Sequence, residues 1–532
     1  IMCPMYADVN WCRSYCHSDK ANRPLIQCEY AHAMGNSMGG FKEYWDLVRE
    51  EPKYQGGFIW DFVDQAIRST SKQGNEIFAY GGDFGRYPAS DHNFNCNGFI
   101  AADRKPHPSA AEVKYYYQNL WTTPDLKAGA VNIFNEQFFA AVDNVVLHWE
   151  LRRNGDAVAS GAETGINVPA QGHQTVKLRG FAMPEKQDGE YTLVVRYLVT
   201  SDPVLAAGHV LAEQEFSVAD YRFPCMSCLS ASADTKAAVA KDEQLACLEL
   251  KADRMNVTFN RRTGWIDYID VDGKPMLEEG YSLMPDFWRA MTDNDAGADL
   301  GRRFAAWKNP VMKLQKFEDG TEGKNRTVTA VYEMPELEAT LTMQYVMTPE
   351  NRLVVTQSLA AHAKEPQKMP HLFRFGMQLV MPGAYSNVDY YGRGPLESYV
   401  DRHTSQFLGH FTQRVADQYW HGYVRPQESG NHYDVRSWSV ETPAGFGLTF
   451  RGTAPLECST IPYLYEDIDG SPVKEAHQYH NGDLKPRDLS VVHIAHKQMG
   501  LGCENSWGAW PLKPYLLPYG DYSYTFAIEI AE

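Results

Sequence analysis

The feature that most constrains this fold is a change of pattern near residue 121. Before it, short apolar runs alternate with helical segments. The runs are IMCPMY at 1–6, PLIQCEY at 24–30 and QGGFIWDFVD at 55–64. Between the last two lies GGFKEYWDLVREEP at 39–52, with Phe41, Tyr44, Trp45 and Val48 at helical spacing and a stop at Pro52. A second helix is predicted within 104–120, opened by Pro108 and Ser109. Apolar strands that alternate with helices are parallel and buried on both faces. A parallel barrel needs eight such strands, and only about three are visible here. Ile1 reads directly into a strand. Residues upstream of it are therefore expected to complete the sheet and cover its edges.

After residue 121 the runs become strands with turn signals such as Asn154-Gly155-Asp156. The stretch to about 220 has the length and rhythm of a compact antiparallel sandwich. From about 221 to the end, strand-like segments such as RTVTAVYEM, ATLTMQYVMT and YSYTFAIEI dominate. At roughly 100–250 residues per domain, 532 residues suggest three units. The expectation is a multidomain chain. It has the C-terminal part of a (β/α)8 barrel over 1–120, an immunoglobulin-like β-sandwich over 121–220 and a large antiparallel β-sandwich over 221–532.

The formal charge of −17, with no clustered Lys and Arg, argues against nucleic acid as a partner. No run of about 20 apolar residues predicts a membrane helix. Ten cysteines over this length do not form a disulfide framework. Cys225 and Cys228 make a lone C-x-x-C without the second pair a zinc site wants. The aromatic content of 13% leaves material for carbohydrate platforms as well as cores.

Glu29 ends the second apolar run, at the edge where barrel enzymes place catalytic groups. A carboxylate there is costly unless it is used or paired. On position alone a structural ion pair remains open. The following YAHAMGNSMGG is rich in small residues, as a loop lining a pocket would be. Tyr6 also ends a strand and could hydrogen-bond a carboxylate and hold it ionised. Trp60 ends the third strand and could stack under a sugar ring, and His32 could donate to a sugar hydroxyl. For each of these three, core packing or a structural hydrogen bond is the competing reading. Gly35-Asn36-Ser37-Met38-Gly39 has the spacing of a serine nucleophile elbow. That elbow requires a strand running straight into it, and a loop separates Glu29 from Gly35.

The runs CPMYADVN, RPLIQCEYAHAMGNSMGGFKEYWDLVREEPKYQGGFIWDFVDQ, YGGDFG and FNCNGFIAADRKPHP closely resemble the large β-galactosidases of glycoside hydrolase family 2, the lac-operon type. Likeness continues in DFWRAMTDNDAG, YYGRGPLESYVDR, YVRPQESGNH and ENSWGAW. It therefore covers nearly the whole chain, most strongly over 1–120. The resemblance implies that 221–532 is a sandwich like the β-galactosidase small chain. It implies retaining hydrolysis of terminal β-D-galactose residues from a β-galactoside such as lactose. It assigns Glu29 as nucleophile and Tyr6 as the tyrosine that contacts it. His32 matches a histidine on galactose hydroxyls, and Trp60 the tryptophan under the sugar's C6 edge. Phe94, through its carbonyl, and Asn97, through its side chain, match sodium ligands. Trp507 matches a platform for the sugar, and Gly297 falls where the family has a mobile loop near the site.

The chain departs from that family in lacking the acid/base Glu, which lies upstream there in a His-Glu-Asn-Glu-like segment. The magnesium ligands and an aspartate of the sodium site also lie upstream. Asp61, Asp64 and Asp83 are poor substitutes, because a general acid needs a raised pKa and tight geometry. Asp61 should also point away from Trp60 by strand alternation. The partner expected beyond the substrate is a second copy of the chain or the missing N-terminal region. A non-catalytic carbohydrate-binding or assembly subunit is the alternative reading.

Overall fold

The computed structural model describes residues 1–85, 90–186, 188–230, 237–469 and 478–531. The first unit is built on β1 (Leu25–Tyr30) and β2 (Tyr54–Ile59), which pair in parallel. Residues 2–6 lie along the other side of β1, with bridges from Met2 to Leu25 and Met5 to Glu29. A parallel bridge from Val63 to Ile100 extends the set. The arrangement is an open fan, and no closed barrel occurs among the described residues.

Two helices cover one side of the fan. The helix α1 (Val9–His17) begins where Asp8 accepts the Trp11 amide at 2.9 Å, satisfying a donor the first turn cannot. The helix α2 (Phe41–Glu50) buries Phe41, Tyr44 and Leu47 against β1 and β2, close to the predicted stripe. A third helix, α3 (Pro108–Tyr117), starts at the predicted Pro108. The other side of the fan is bare. Met5, Phe58 and Phe62 are each more than 60% exposed, against the expectation of strands buried on both faces.

Residues 120–125, 130–135 and 173–177 form a three-stranded antiparallel sheet. Residues 145–153, 156–163, 191–199 and 210–219 form a four-stranded one. The two sheets share one core around Leu147, Trp149, Leu193 and Tyr197. Trp149 lies over Gly161 on the paired strand, where a Cβ would stand 2.6 Å from the indole nitrogen. Each fully buried side chain of this size contributes about 1.5–3 kcal/mol.

The remainder is antiparallel sheet, with one sheet of nine strands and two of five sharing a single large core. Arg374 is fully buried there. It donates to Asp286 at 2.8 Å, to Glu428 at 3.1 Å and to Gln498 at 2.6 Å, so its charge is compensated. Cys225 and Cys228, the lone C-x-x-C of the sequence, are joined as a disulfide.

The fan docks on this last region through the loop after Glu29. Asn36 donates to Tyr399 and to the Glu428 carbonyl, Gly39 to the Gly502 carbonyl and Gly40 to the Asp401 carbonyl. A Cβ on Gly39 would fall 2.0 Å from Asp401, and one on Gly35 would fall 2.3 Å from Asp293. The small residues of YAHAMGNSMGG therefore serve close packing between two units, and most of the loop is buried. Ser37 is buried within it and its hydroxyl turns to Gly35, so it is no exposed nucleophile.

Candidate active site

Glu29 stands half-buried at the C-terminal end of β1. The strand beside it ends at Tyr6, whose amide donates to the Glu29 carbonyl at 2.9 Å. This backbone pairing places the two side chains together, with the Tyr6 phenol close to the Glu29 carboxylate. Tyr6 takes a positive φ of 49°, and Ala31 one of 51°, so the chain turns sharply at both strand ends. Burial, then the hydrogen bond and charge of Glu29, push the phenol well above its ordinary range. Tyr6 consequently keeps its proton at any physiological pH.

Three further rings close around this pair. Trp507 meets Tyr6 edge-on at 4.7 Å between centroids and His32 at 5.1 Å. Phe94 lies 6.1 Å from His32 and 6.4 Å from Trp507. His32 itself is buried, with its amide donating to the Cys503 carbonyl at 3.0 Å. Trp507 is about half exposed, at 48%, and Trp60 is 40% exposed. Both rings therefore have a face that another molecule could cover. Trp60 follows β2, its amide donating to the Tyr30 carbonyl and its carbonyl accepting from Ala33, so its backbone is tied to the segment just after Glu29.

Asn97 is 4% exposed. Its amide nitrogen donates to the Phe94 carbonyl at 2.6 Å, while its oxygen is buried without a hydrogen-bond partner. Exchanging the amide's oxygen and nitrogen is sterically neutral. It would place two oxygens side by side, which only a cation stabilises. All-oxygen donors suit a hard ion such as sodium, and the residues present fit one.

The three considered acids are all otherwise engaged. Asp61 accepts from Phe62 and Gln65. Asp64 is buried between His107 at 2.8 Å and the Gly98 amide at 2.8 Å. Asp83 accepts from Tyr80 and pairs with His480. Asp64 and Asp83 are held by these partners, while the charge of Asp61 reaches Tyr6 and adds to the rise of its phenol.

Gly297 packs directly on the Trp507 segment, where a Cβ would fall 1.8 Å from the Ser506 carbonyl oxygen. Two residues escaped the sequence reading. Ser506 hydrogen-bonds His32 at 2.6 Å and Asn294 at 2.6 Å. Both lie in polar segments already notable in the sequence, ENSWGAW and MTDNDAG, but nothing local distinguishes them from loop residues.

Three family models match segments of this chain. A family model described as beta galactosidase small chain matches residues 251–528. One for the glycosyl hydrolases family 2 TIM barrel domain matches 1–122, and one for beta-galactosidase domain 4 matches 131–219. A beta-galactosidase of Priestia megaterium is 31% identical over 508 residues, covering 94% of this chain and 47% of that protein. One from Halalkalibacterium halodurans is 31% identical over 538 residues, covering 99% and 50%. One from Photobacterium profundum is 31% identical over 569 residues, covering 99% and 52%. The chain spans about half the length of the curated relatives it matches.

Proposed function

Since this chain belongs to the glycosyl hydrolase family 2 β-galactosidases, we propose that it carries the nucleophile half of a retaining β-galactosidase site. The observation behind this reading is the Glu29–Tyr6 pair at adjacent parallel strand ends, ringed by His32, Phe94 and Trp507. Glu29 attacks the anomeric carbon of a terminal β-D-galactose residue. The glycosidic bond breaks, and a covalent glycosyl-enzyme forms. A second carboxyl group about 5 Å away protonates the leaving oxygen and then draws a proton from the water that releases the sugar. That group belongs to the further chain length found in the relatives. Asp64 and Asp83 are committed elsewhere, and Asp61 accepts from Gln65 and Phe62.

Tyr6 donates its phenolic proton to Glu29 and aims the carboxylate. As Glu29 leaves the sugar in the second step, the same donor stabilises the returning negative charge. Trp507 and Trp60 offer flat apolar faces to the galactose ring. Sodium would be held by the Asn97 side chain and the Phe94 carbonyl, and when bound it supplies a fixed positive charge that orients a sugar hydroxyl. Magnesium, whose ligands the resemblance places upstream, is assigned to no residue here. The domain division at 120 and 220 follows the change of pattern near residues 121 and 221 of the sequence.

The bare face at Met5, Phe58 and Phe62 favours a protein partner as well. Its occupant is the N-terminal region of the same enzyme, covalently continuous or as a separate chain, rather than a second copy. If the chain served only as a carbohydrate-binding or assembly subunit, Glu29 would have no chemical role.

The test is reaction with a 2-deoxy-2-fluoro-β-galactoside bearing a dinitrophenolate leaving group, which needs little protonation. A mass increase on the peptide containing Glu29, absent in Glu29→Gln, supports the assignment. Label on another carboxylate overturns it. No label even after the N-terminal region is added favours the non-catalytic subunit.

A further inference from the structure

We infer that Ser506 and Asn294 fix the proton of His32 on Nδ1 and so present its Nε2 as a hydrogen-bond acceptor. The galactoside reading enters only in naming a sugar hydroxyl as the donor. His32 was expected to donate to such a hydroxyl, and the hydrogen-bond pattern around it reverses that role.

The argument runs outward from Asn294. Its side-chain nitrogen lies 3.0 Å from the Leu501 carbonyl and 3.1 Å from the Gly502 carbonyl. Carbonyl oxygens only accept, so this end of the amide is the NH2 group. The Asn294 oxygen is thereby turned to Ser506, whose hydroxyl lies 2.6 Å away and donates its single proton there. Ser506 has no second proton to give. Its contact with His32 Nδ1, also 2.6 Å, requires that Nδ1 carry the hydrogen. In the neutral imidazole the lone pair then resides on Nε2. Ser506 is completely buried and Asn294 is 4% exposed, so water cannot substitute for either contact.

The supports of this relay are themselves held. Asn294 sits in the short helix Asp293–Gly297, capped by Thr292 through a reciprocal pair with Asp295. Asp295 also binds Arg289 in a buried bidentate pair, at 3.0 and 2.8 Å. Arg289 donates in turn to the Met499 and Gly500 carbonyls. Arg289 and Asn294 together therefore clamp four successive carbonyls, from Met499 to Gly502, just ahead of Ser506. The loop is fixed before the serine is reached. Ser506 and Asn294 are positioning residues, because they act on the sugar only through His32.

The proton can be observed directly in this chain by 15N NMR of labelled histidine, with His32→Gln identifying the signal. At about pH 8, above the ordinary histidine range, the expected pattern is a protonated Nδ1 and a bare Nε2. In Asn294→Ala the Ser506 proton is released to donate to Nδ1, and the hydrogen should move to Nε2. The tautomer ratio should change by about 10-fold, the effect of one hydrogen bond to a buried group. Ser506→Thr retains the hydroxyl and should retain the original pattern. The remaining histidine signals report whether each variant is folded. A hydrogen on Nε2 in the unaltered chain, or an unchanged pattern in a folded Asn294→Ala, overturns the inference. Adding galactose should shift the Nε2 signal. If the tautomers behave as stated and galactose still shifts nothing once the N-terminal region completes the site, the relay stands and the galactoside reading fails.

Discussion

The amide of Tyr6 donates to the Glu29 carbonyl at 2.9 Å, and this contact brings the Tyr6 phenol against the Glu29 carboxylate. The pairing of two parallel strand ends thus sets the position of both side chains. Glu29→Gln removes the attacking oxygen while keeping its size. Once the site is completed by the N-terminal region, kcat for an aryl β-galactoside should fall by about 10⁴–10⁶-fold, the range found when a member of a catalytic unit is lost. Stability should change by less than about 0.5 kcal/mol, because Glu29 is half-buried and anchors no core. Kinetics and thermal unfolding on the same preparation check both parts.

Tyr6→Phe deletes the donor and leaves the ring contacts with Trp507 and His32 in place. Removing one such donor costs about 10²–10³-fold in kcat. The loss should concentrate in release of the covalent intermediate, read as accumulation of labelled Glu29 in a burst experiment. The raised pKa of Tyr6 also predicts a pH effect. Its stabilising contribution is complete below the unfolded value of about 10 and is lost as pH rises through the folded one. Alkaline unfolding should therefore begin at lower pH in the wild type than in Tyr6→Phe.

Trp507→Ala removes an exposed platform that touches both Tyr6 and His32. Its effect should fall on binding, with the dissociation constant for a galactoside raised about 10-fold, equivalent to ~1.4 kcal/mol. Equilibrium titration measures this. A loss confined to kcat would remove Trp507 from the sugar-binding role.

Replacing sodium by a large organic cation should weaken galactose binding, and Asn97→Val should abolish that cation dependence. The buried, unpartnered oxygen of Asn97 motivates both. Titrations in sodium and in choline chloride, on both proteins, supply the comparison.

Arg374→Met should destabilise the large sandwich by about 3–5 kcal/mol, since it strands Asp286 and Glu428 as buried charges. Burial opposes ionisation of Asp286, but the charge of Arg374 and the hydrogen bond with His493 outweigh it and hold the carboxyl below the ordinary range. That stability is present above the unfolded pKa of about 4 and is lost as pH falls through the folded value. The variant should show less loss of stability on acidification than the wild type, measured by denaturant titration at several pH values.

Much of this molecule is legible in its residue order. Phe41 and Tyr44 at helical spacing, Pro108 at a helix start and the apolar runs ending at Glu29 and Trp60 each correspond to an observed element. These signals are local, because helix and strand periods are written into neighbouring residues. Glu29 and His32 are likewise near neighbours, and one long motif carries both. The role of the small residues after Glu29 was not legible, since a glycine reads the same in an open loop as against Asp401. Nor was the meeting of Tyr6, Trp507, Ser506 and Asn294. Ser506 lies 474 positions from His32, and it binds Asn294 from a third segment. Sequence determined the strands, the helices and the carboxylate at the edge of the fan. Only the packing of distant loops decided which rings surround that carboxylate and which nitrogen of His32 holds the proton, because a contact across hundreds of residues leaves no periodic trace in either segment that makes it.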